Sequence, residues 1–291
     1  MSYITRAVTS CGGARIIFAD TTDIVRKAAE IHGTSKTMTA ALGRVLTATA
    51  MMGSLLKDKD NSITVQFKGN GPAGTVVCVS DYMGNVRGYA EDPTVELAPN
   101  EKGKLDVGGA IGRNGTLYVI KDMGFPEPYV GMCPIVSGEV GDDITGYFAS
   151  SEQTPTVCAL GVRVDKDLNC KAAGGFLIQL LPGADDELTD KLEQNIAMID
   201  SVSAMIESGK TAEEIIAVAF SGIEHENFDE FDISYKCNCG REKYERALIT
   251  LPESDFESLG ENGEPIEAVC RFCNEKYVFS YEELDRIRNK G

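Results

Sequence analysis

The chain has 291 residues, 43% of them hydrophobic, and a formal net charge of −17. That much apolar content excludes a wholly disordered chain, and the length points to two or three domains. The acidic excess argues against a nucleic-acid partner and against an anionic membrane surface, both of which are met by clustered Lys and Arg.

The N-terminal MSYITRAVTS has no basic segment followed by an apolar run, so no signal peptide is expected. The apolar stretch Leu46 to Leu56 is broken by Thr, Ser and Gly and is too short for a bilayer span. The expected location is the cytoplasm. A reducing compartment disfavours structural disulfides, so clustered members of the nine cysteines read as metal-binding or redox-active.

Residues 1 to 182 read as α/β with much strand. SYITRAVT and ARIIFAD flank Cys11-Gly12-Gly13, a hairpin-turn pattern. Thr22 or Asp23 can cap a helix running to Ile31 and stopped by Gly33, and Ser35 can cap a second one carrying Ala40, Leu42, Val45, Leu46 and Met52. ITVQFKG, GTVVCVSD and VRGYAED follow as strands. Ile144 to Glu152 suggests a short helix, and TVCALGVRVD with CKAAGGFLIQLL suggests a hairpin around Lys166 to Asn169.

The pattern changes at Leu181-Pro182-Gly183. Leu188, Leu192, Ile196, Ile199, Val202 and Ile206 recur every three or four residues, which predicts one amphipathic helix ended by Gly209. Thr211 and Glu214 form a capping-box pattern that opens another helix. An acidic, aromatic-dotted stretch from Glu224 to Asp232 follows. The expected organisation is therefore a mixed α/β domain over 1–182, a helical connector over 183–232 and a small unit over 233–291, an α+β chain overall. At roughly 60 residues the last unit is marginal by burial alone and benefits from a staple.

That staple is a pair of motifs, Cys237-Asn238-Cys239 and Cys270-Arg271-Phe272-Cys273. Four thiolates in two close pairs suit tetrahedral zinc. The second pair lies between the strand-like IEAV and KYVFS, on a knuckle-like turn. A closed four-sulfur set leaves no open position for a metal-bound hydroxide, so a hydrolytic zinc centre is not expected. The spacing alone is equally compatible with a purely structural site, and an iron–sulfur or rubredoxin-type site uses the same ligands. A redox switch has a physical basis too. Structural zinc supplies about 10–16 kcal/mol of apparent binding energy in small modules, more than such a unit's own folding stability.

Other motifs read as architecture. Gly69 to Gly74 matches G-x-G-x-x-G, but the strand-like TVVCVSD follows where a dinucleotide site needs a helix. Gly174-Gly175 marks a bulge or a close backbone approach. Asp142-Asp143 reads as a helix cap and Ser151-Glu152-Gln153 as a helix end. His32 and His225 neighbour no nucleophile motif, and Cys78 and Cys158 sit in apolar strands as buried hydrophobes.

Cys-x-Cys, thirty residues, then Cys-x-x-Cys resembles the heat-shock protein 33 family of redox-regulated holdase chaperones. GRNGTLYVIKDMG (112–124), IVSGEVGDDIT (135–145), YFASSEQTP (147–155), AAGGFLIQLLPGA (172–184) and AVCRFCNEKYVF (268–279) extend the resemblance in order along the chain. At Gly240 the family pattern leads one to expect a small hydroxyl residue. Glycine there removes a donor to a thiolate sulfur.

The resemblance implies an ATP-independent chaperone and no enzyme. In the reduced state, Cys237, Cys239, Cys270 and Cys273 would hold one zinc ion. Under oxidative stress they would form Cys237–Cys239 and Cys270–Cys273 disulfides, the zinc domain would unfold, and the activated homodimer would bind unfolding clients. The rivals are an enzyme, or a macromolecule-binding module, with a purely structural zinc site.

Overall fold

The computed structural model describes residues 1–199, 201–260 and 262–289. They fall into two compact units, Met1–Lys236 and Cys237–Gly291. The chain is mixed α/β with antiparallel sheets and, among the described residues, ten helices.

The first unit runs β1 (Tyr3–Thr9), β2 (Ala14–Asp20), α1 (Thr22–His32), α2 (Lys36–Gly53), β3 (Ser62–Gly69), β4 (Thr75–Asp81), β5 (Val86–Ala90), α3 (Val107–Ile111), β6 (Gly115–Asp122), β7 (Tyr129–Pro134), α4 (Gly141–Ser150), β8 (Thr156–Val164), β9 (Cys170–Leu180), α5 (Asp186–Ala197), α6 (Val202–Glu207), α7 (Ala212–Ala219) and β10 (His225–Asp232). Two five-stranded sheets result, ordered β10-β1-β2-β9-β8 and β5-β4-β3-β6-β7.

Helix α2 packs against strands of both sheets and is buried over almost its whole length. That explains its weak amphipathicity: Ala40, Leu42, Val45, Leu46, Ala48 and Met51 point in all directions, and Thr47 and Thr49 return their hydroxyls to the helix carbonyls of Gly43 and Val45. Ser35 caps it by accepting the N–H of Met38 at 3.0 Å. Gly33 takes the left-handed conformation that closes α1, at φ 58°.

The first sheet is buried on both faces. Alternation sends Ile4, Ile17, Ala19 and Leu177 toward α2, and Ile16, Phe18, Phe176 and Ile178 toward α5–α7, where they meet Leu188, Leu192, Val202, Ile215, Ile216 and Phe220. The capping box at Thr211 and Glu214 forms as its spacing predicts. The single amphipathic helix expected over 188–206 is instead two. Asp185 caps α5, and Ser201 starts α6 afresh by accepting the N–H of Ala204. The apolar period persists because both pieces lie on the same sheet face.

The acidic stretch, expected within the helical connector over 183–232, is instead strand β10, antiparallel to β1. Asp229 is ion-paired to Arg6, Thr5 donates to Glu230 at 2.8 Å, and the Arg6 guanidinium lies over the Phe231 ring at 5.2 Å. Cross-strand partners thus offset the low strand propensity of Asp and Glu.

Gly69 to Gly74 joins antiparallel strands β3 and β4, so the glycine motif is a hairpin loop. Asp143 is not a helix cap. Its carboxylate is buried and accepts the N–H groups of Val136 and Ser137, fixing the loop before α4. Glu152 does more than end a helix: it accepts from Tyr147 Oη and Lys121 Nζ, both at 2.5 Å.

The second unit contains α8 (Arg241–Ile249), α9 (Glu253–Ser258), β11 (Ile266–Val269), β12 (Lys276–Phe279) and α10 (Tyr281–Arg288). Its buried apolar core is small: Phe256, Ile266, Phe279 and Leu284, with partly buried neighbours. Two arginines supplement it. Arg241 grips both oxygens of Glu283 at 2.8 and 2.9 Å and lies over Phe279 at 4.2 Å. Arg288 reaches Glu253 at 2.7 Å and lies over Phe256 at 4.5 Å.

Candidate metal centre

β11 and β12 pair antiparallel from Ile266 opposite Phe279 to Val269 opposite Lys276. The turn between them carries Cys270 and Cys273. It is closed by Cys270 N–H to Glu275 O at 2.9 Å and Asn274 N–H to Cys270 O at 2.8 Å. Cys237 and Cys239 lie in an extended segment just before α8, and Lys243 pins that segment by donating to the carbonyl of Asn238 at 2.6 Å.

The four sulfurs predicted from the motif converge, all within 4.8 Å of one another. Cys237 Sγ lies 3.7 Å from Cys270 Sγ, and Cys239 Sγ lies 3.4 Å from Cys273 Sγ. A tetrahedron with metal–sulfur bonds of about 2.3 Å has sulfur edges of about 3.8 Å, so these contacts suit four thiolates on one ion. They are far longer than the roughly 2.05 Å of a disulfide. Both of these contacts cross from one motif to the other. Cys270 is buried and the others are half-buried.

Two tyrosines complete the site. The hydroxyl of Tyr277, from β12, lies 3.1 Å from Cys239 Sγ. The Tyr244 hydroxyl, from α8, hydrogen-bonds Cys270, and the two rings stack with centroids 5.0 Å apart. Burial works against the Cys270 thiolate. Bonds from Tyr244 and from the backbone of Phe272 and Cys273 outweigh it and bring the thiol down to about 7. Burial pushes Cys237 and Cys273 up, and neighbouring thiols add to the rise. The motif spacing could not reveal these tyrosines, because Tyr244 reaches the site only through α8.

Gly240 is extended, and a side chain there would meet open space. The hydroxyl that glycine cannot supply has counterparts in Tyr277 and Tyr244, each against a different cysteine pair.

The remaining cysteines are elsewhere. Cys78 and Cys158 are buried in strands as expected, and burial pushes the Cys158 thiol up to about 12. His32 lies 3.3 Å from the Tyr235 hydroxyl and His225 lies 3.0 Å from the carbonyl of Ile223, and both belong to the first unit.

A mixed α/β chain with a four-thiol, metal-competent knuckle after its Lys236 is a specific combination. Residues 2–280 match the family model described as Hsp33 protein, and the chain belongs to that family of chaperones. It is 45% identical over 284 residues to the 33 kDa chaperonin of Clostridium botulinum (strain Langeland), covering 98% of this chain and 96% of that one. The 33 kDa chaperonin of Clostridium tetani is 46% identical over 287 residues, 98% of each. The crystal structure of the Hsp33 homologue from Thermotoga maritima superposes with a TM-score of 0.90 at 36% identity, covering 99% of this chain and 98% of that one. Among the described residues no helix is long and apolar enough to cross a membrane.

Proposed function

We propose that the protein is an ATP-independent holdase switched on by thiol oxidation. The observation that carries this reading is four converging sulfurs in a unit whose buried apolar cluster, among the described residues, is Phe256, Ile266, Phe279 and Leu284. Cys237, Cys239, Cys270 and Cys273 would hold one zinc ion, which when bound cross-links two distant chain segments and supplies most of the unit's stability. The thiolates are at once the ligands and the oxidisable groups. For each disulfide, two thiols lose two electrons and two protons to one peroxide, the S–S bond forms, the O–O bond breaks and two waters leave. Pairing within the motifs, Cys237–Cys239 and Cys270–Cys273, leaves the two segments unlinked.

Cys237 directly follows Lys236, whose N–H bonds Val86 O, next to the Tyr235 hydroxyl that donates to Gly88 O at 2.9 Å. Disorder beginning at Cys237 therefore pulls on the strand leading back to β10 and α5–α7. Release of those helices uncovers Ile16, Phe18, Phe176 and Ile178, an apolar sheet face fit for unfolding clients. The activated species would be a homodimer acting in the cytoplasm, with no nucleic acid, membrane or substrate turnover involved. Its net charge keeps client complexes dispersed.

The test is suppression of aggregation of a heat-denaturing client by peroxide-treated, zinc-free protein against the reduced, zinc-loaded form. The proposal expects strong suppression only after oxidation. Equal activity of the two forms overturns it and favours a purely structural metal site.

A further inference from the structure

Strand β8 is an edge of the first sheet. Leu180 donates its N–H to Pro155 O, so the ladder bonds to β9 run through the odd-numbered residues of β8. Cys158, Leu160 and Val162 therefore direct their N–H and C=O groups out of the sheet. The outward N–H of Cys158 is taken by Thr145 Oγ1 at 3.1 Å. Those of Leu160 and Val162 open into a groove of about 1140 Å³. Ala40 and Arg44 of α2 stand on one side of the strand, and Ile199 and Val202, at the junction of α5 and α6, on the other.

The groove exceeds the roughly 300–1,000 Å³ of small-molecule sites. Its floor offers what an extended chain needs, backbone donors and acceptors at strand spacing beside Leu160 and Val162, and its rim carries the charged side chains of Lys102, Lys104, Asp106 and Arg113. Arg44 and Arg163 are already neutralised by Glu139 at 2.6 Å and Glu207 at 2.9 Å. An unfolding client exposes unpaired strand segments, which a free sheet edge can extend.

We propose that this edge receives an extended segment of an unfolding client, paired through its main chain, as a sixth strand of the first sheet. The proposal rests on the holdase reading. Main-chain pairing makes the recognition tolerant of sequence, as a holdase requires. Ile199 and Val202 lie in the helical segment released on oxidation, so the groove widens as the protein is activated.

The test is residue-resolved amide exchange of the oxidised full chain, with and without a carboxymethylated, permanently unfolded protein as client. The Leu160 and Val162 amides should slow about tenfold on client addition, while Ala159 and Gly161, already bonded to β9, stay unchanged. Leu160→Pro removes one outward N–H and no ladder bond, and should weaken client binding about tenfold with zinc content retained. Unchanged exchange at Leu160 and Val162, in a protein that still suppresses aggregation, overturns the edge site and leaves the holdase reading standing. Slowing with protein concentration alone makes a second copy the occupant and also overturns it. Absence of aggregation suppression removes the holdase reading and the edge site together.

Discussion

The Tyr277 hydroxyl lies 3.1 Å from Cys239 Sγ, while its ring stacks on that of Tyr244. A hydroxyl donating to a metal-bound thiolate stabilises negative charge on sulfur and makes it a poorer nucleophile toward oxidants. Tyr277→Phe keeps the stacked ring and deletes the donor. It should weaken zinc binding about tenfold, measured by chelator competition, and speed thiol loss to peroxide.

Cys270→Ser removes one ligand from the most buried corner of the cluster. With a buried apolar cluster of Phe256, Ile266, Phe279 and Leu284 among the described residues, the second unit has little to fall back on. The variant should lose metal and the amide protection of β11, β12 and α8–α10, while β1–β9 remain protected. Chelation of the wild-type chain should give the same pattern by hydrogen exchange.

At Gly161 the backbone of α6 comes close against β8. A Cβ there would fall 2.7 Å from Ser203 Oγ and 2.8 Å from its Cβ and backbone nitrogen. Gly161→Val should push α6 off β8 and expose part of the Phe18 and Phe176 face. The expected outcome is raised binding of an apolar dye by the reduced, zinc-loaded protein, and some holdase activity without oxidant.

Glu152 predicts a pH dependence. Burial alone would raise its carboxyl, but the Lys121 ammonium and the Tyr147 hydroxyl hold it below the usual glutamate range. A depressed folded-state value contributes stability that is full above the unfolded value, about 4.3, and is lost as pH falls through the folded one. Glu152→Gln should cost about 1–3 kcal/mol at pH 7 in urea melts, and the gap to wild type should narrow below about pH 4.

Much of this was legible in the chain itself. The convergence of Cys237, Cys239, Cys270 and Cys273 was, because two close pairs at fixed spacing bring their sulfurs together once the hairpin and the segment before α8 meet. Elements with strong local signals were too: the Ser35 cap, the Thr211–Glu214 box, the hairpins at Gly69 to Gly74 and at Lys166 to Asn169. The parts that were not depend on distant partners. β10 is a strand because Arg6 and Thr5 meet Asp229 and Glu230, more than 200 residues away. Asp143 and Glu152 look like helix-end residues until Val136, Lys121 and Tyr147 fold against them. The break between α5 and α6 escaped because both share one apolar period over one sheet face.

The central claim joins metal release to client binding, so the most direct measurement follows both in one sample. Reduced protein is treated with peroxide at raised temperature, released zinc is read with a chromophoric chelator, and light scattering of a thermally unfolding client is recorded alongside. The account predicts zinc release and suppression of scattering rising in step, and both reversing when reductant and zinc are restored. Zinc that stays bound while the client is protected, or that leaves with no gain in protection, would contradict it.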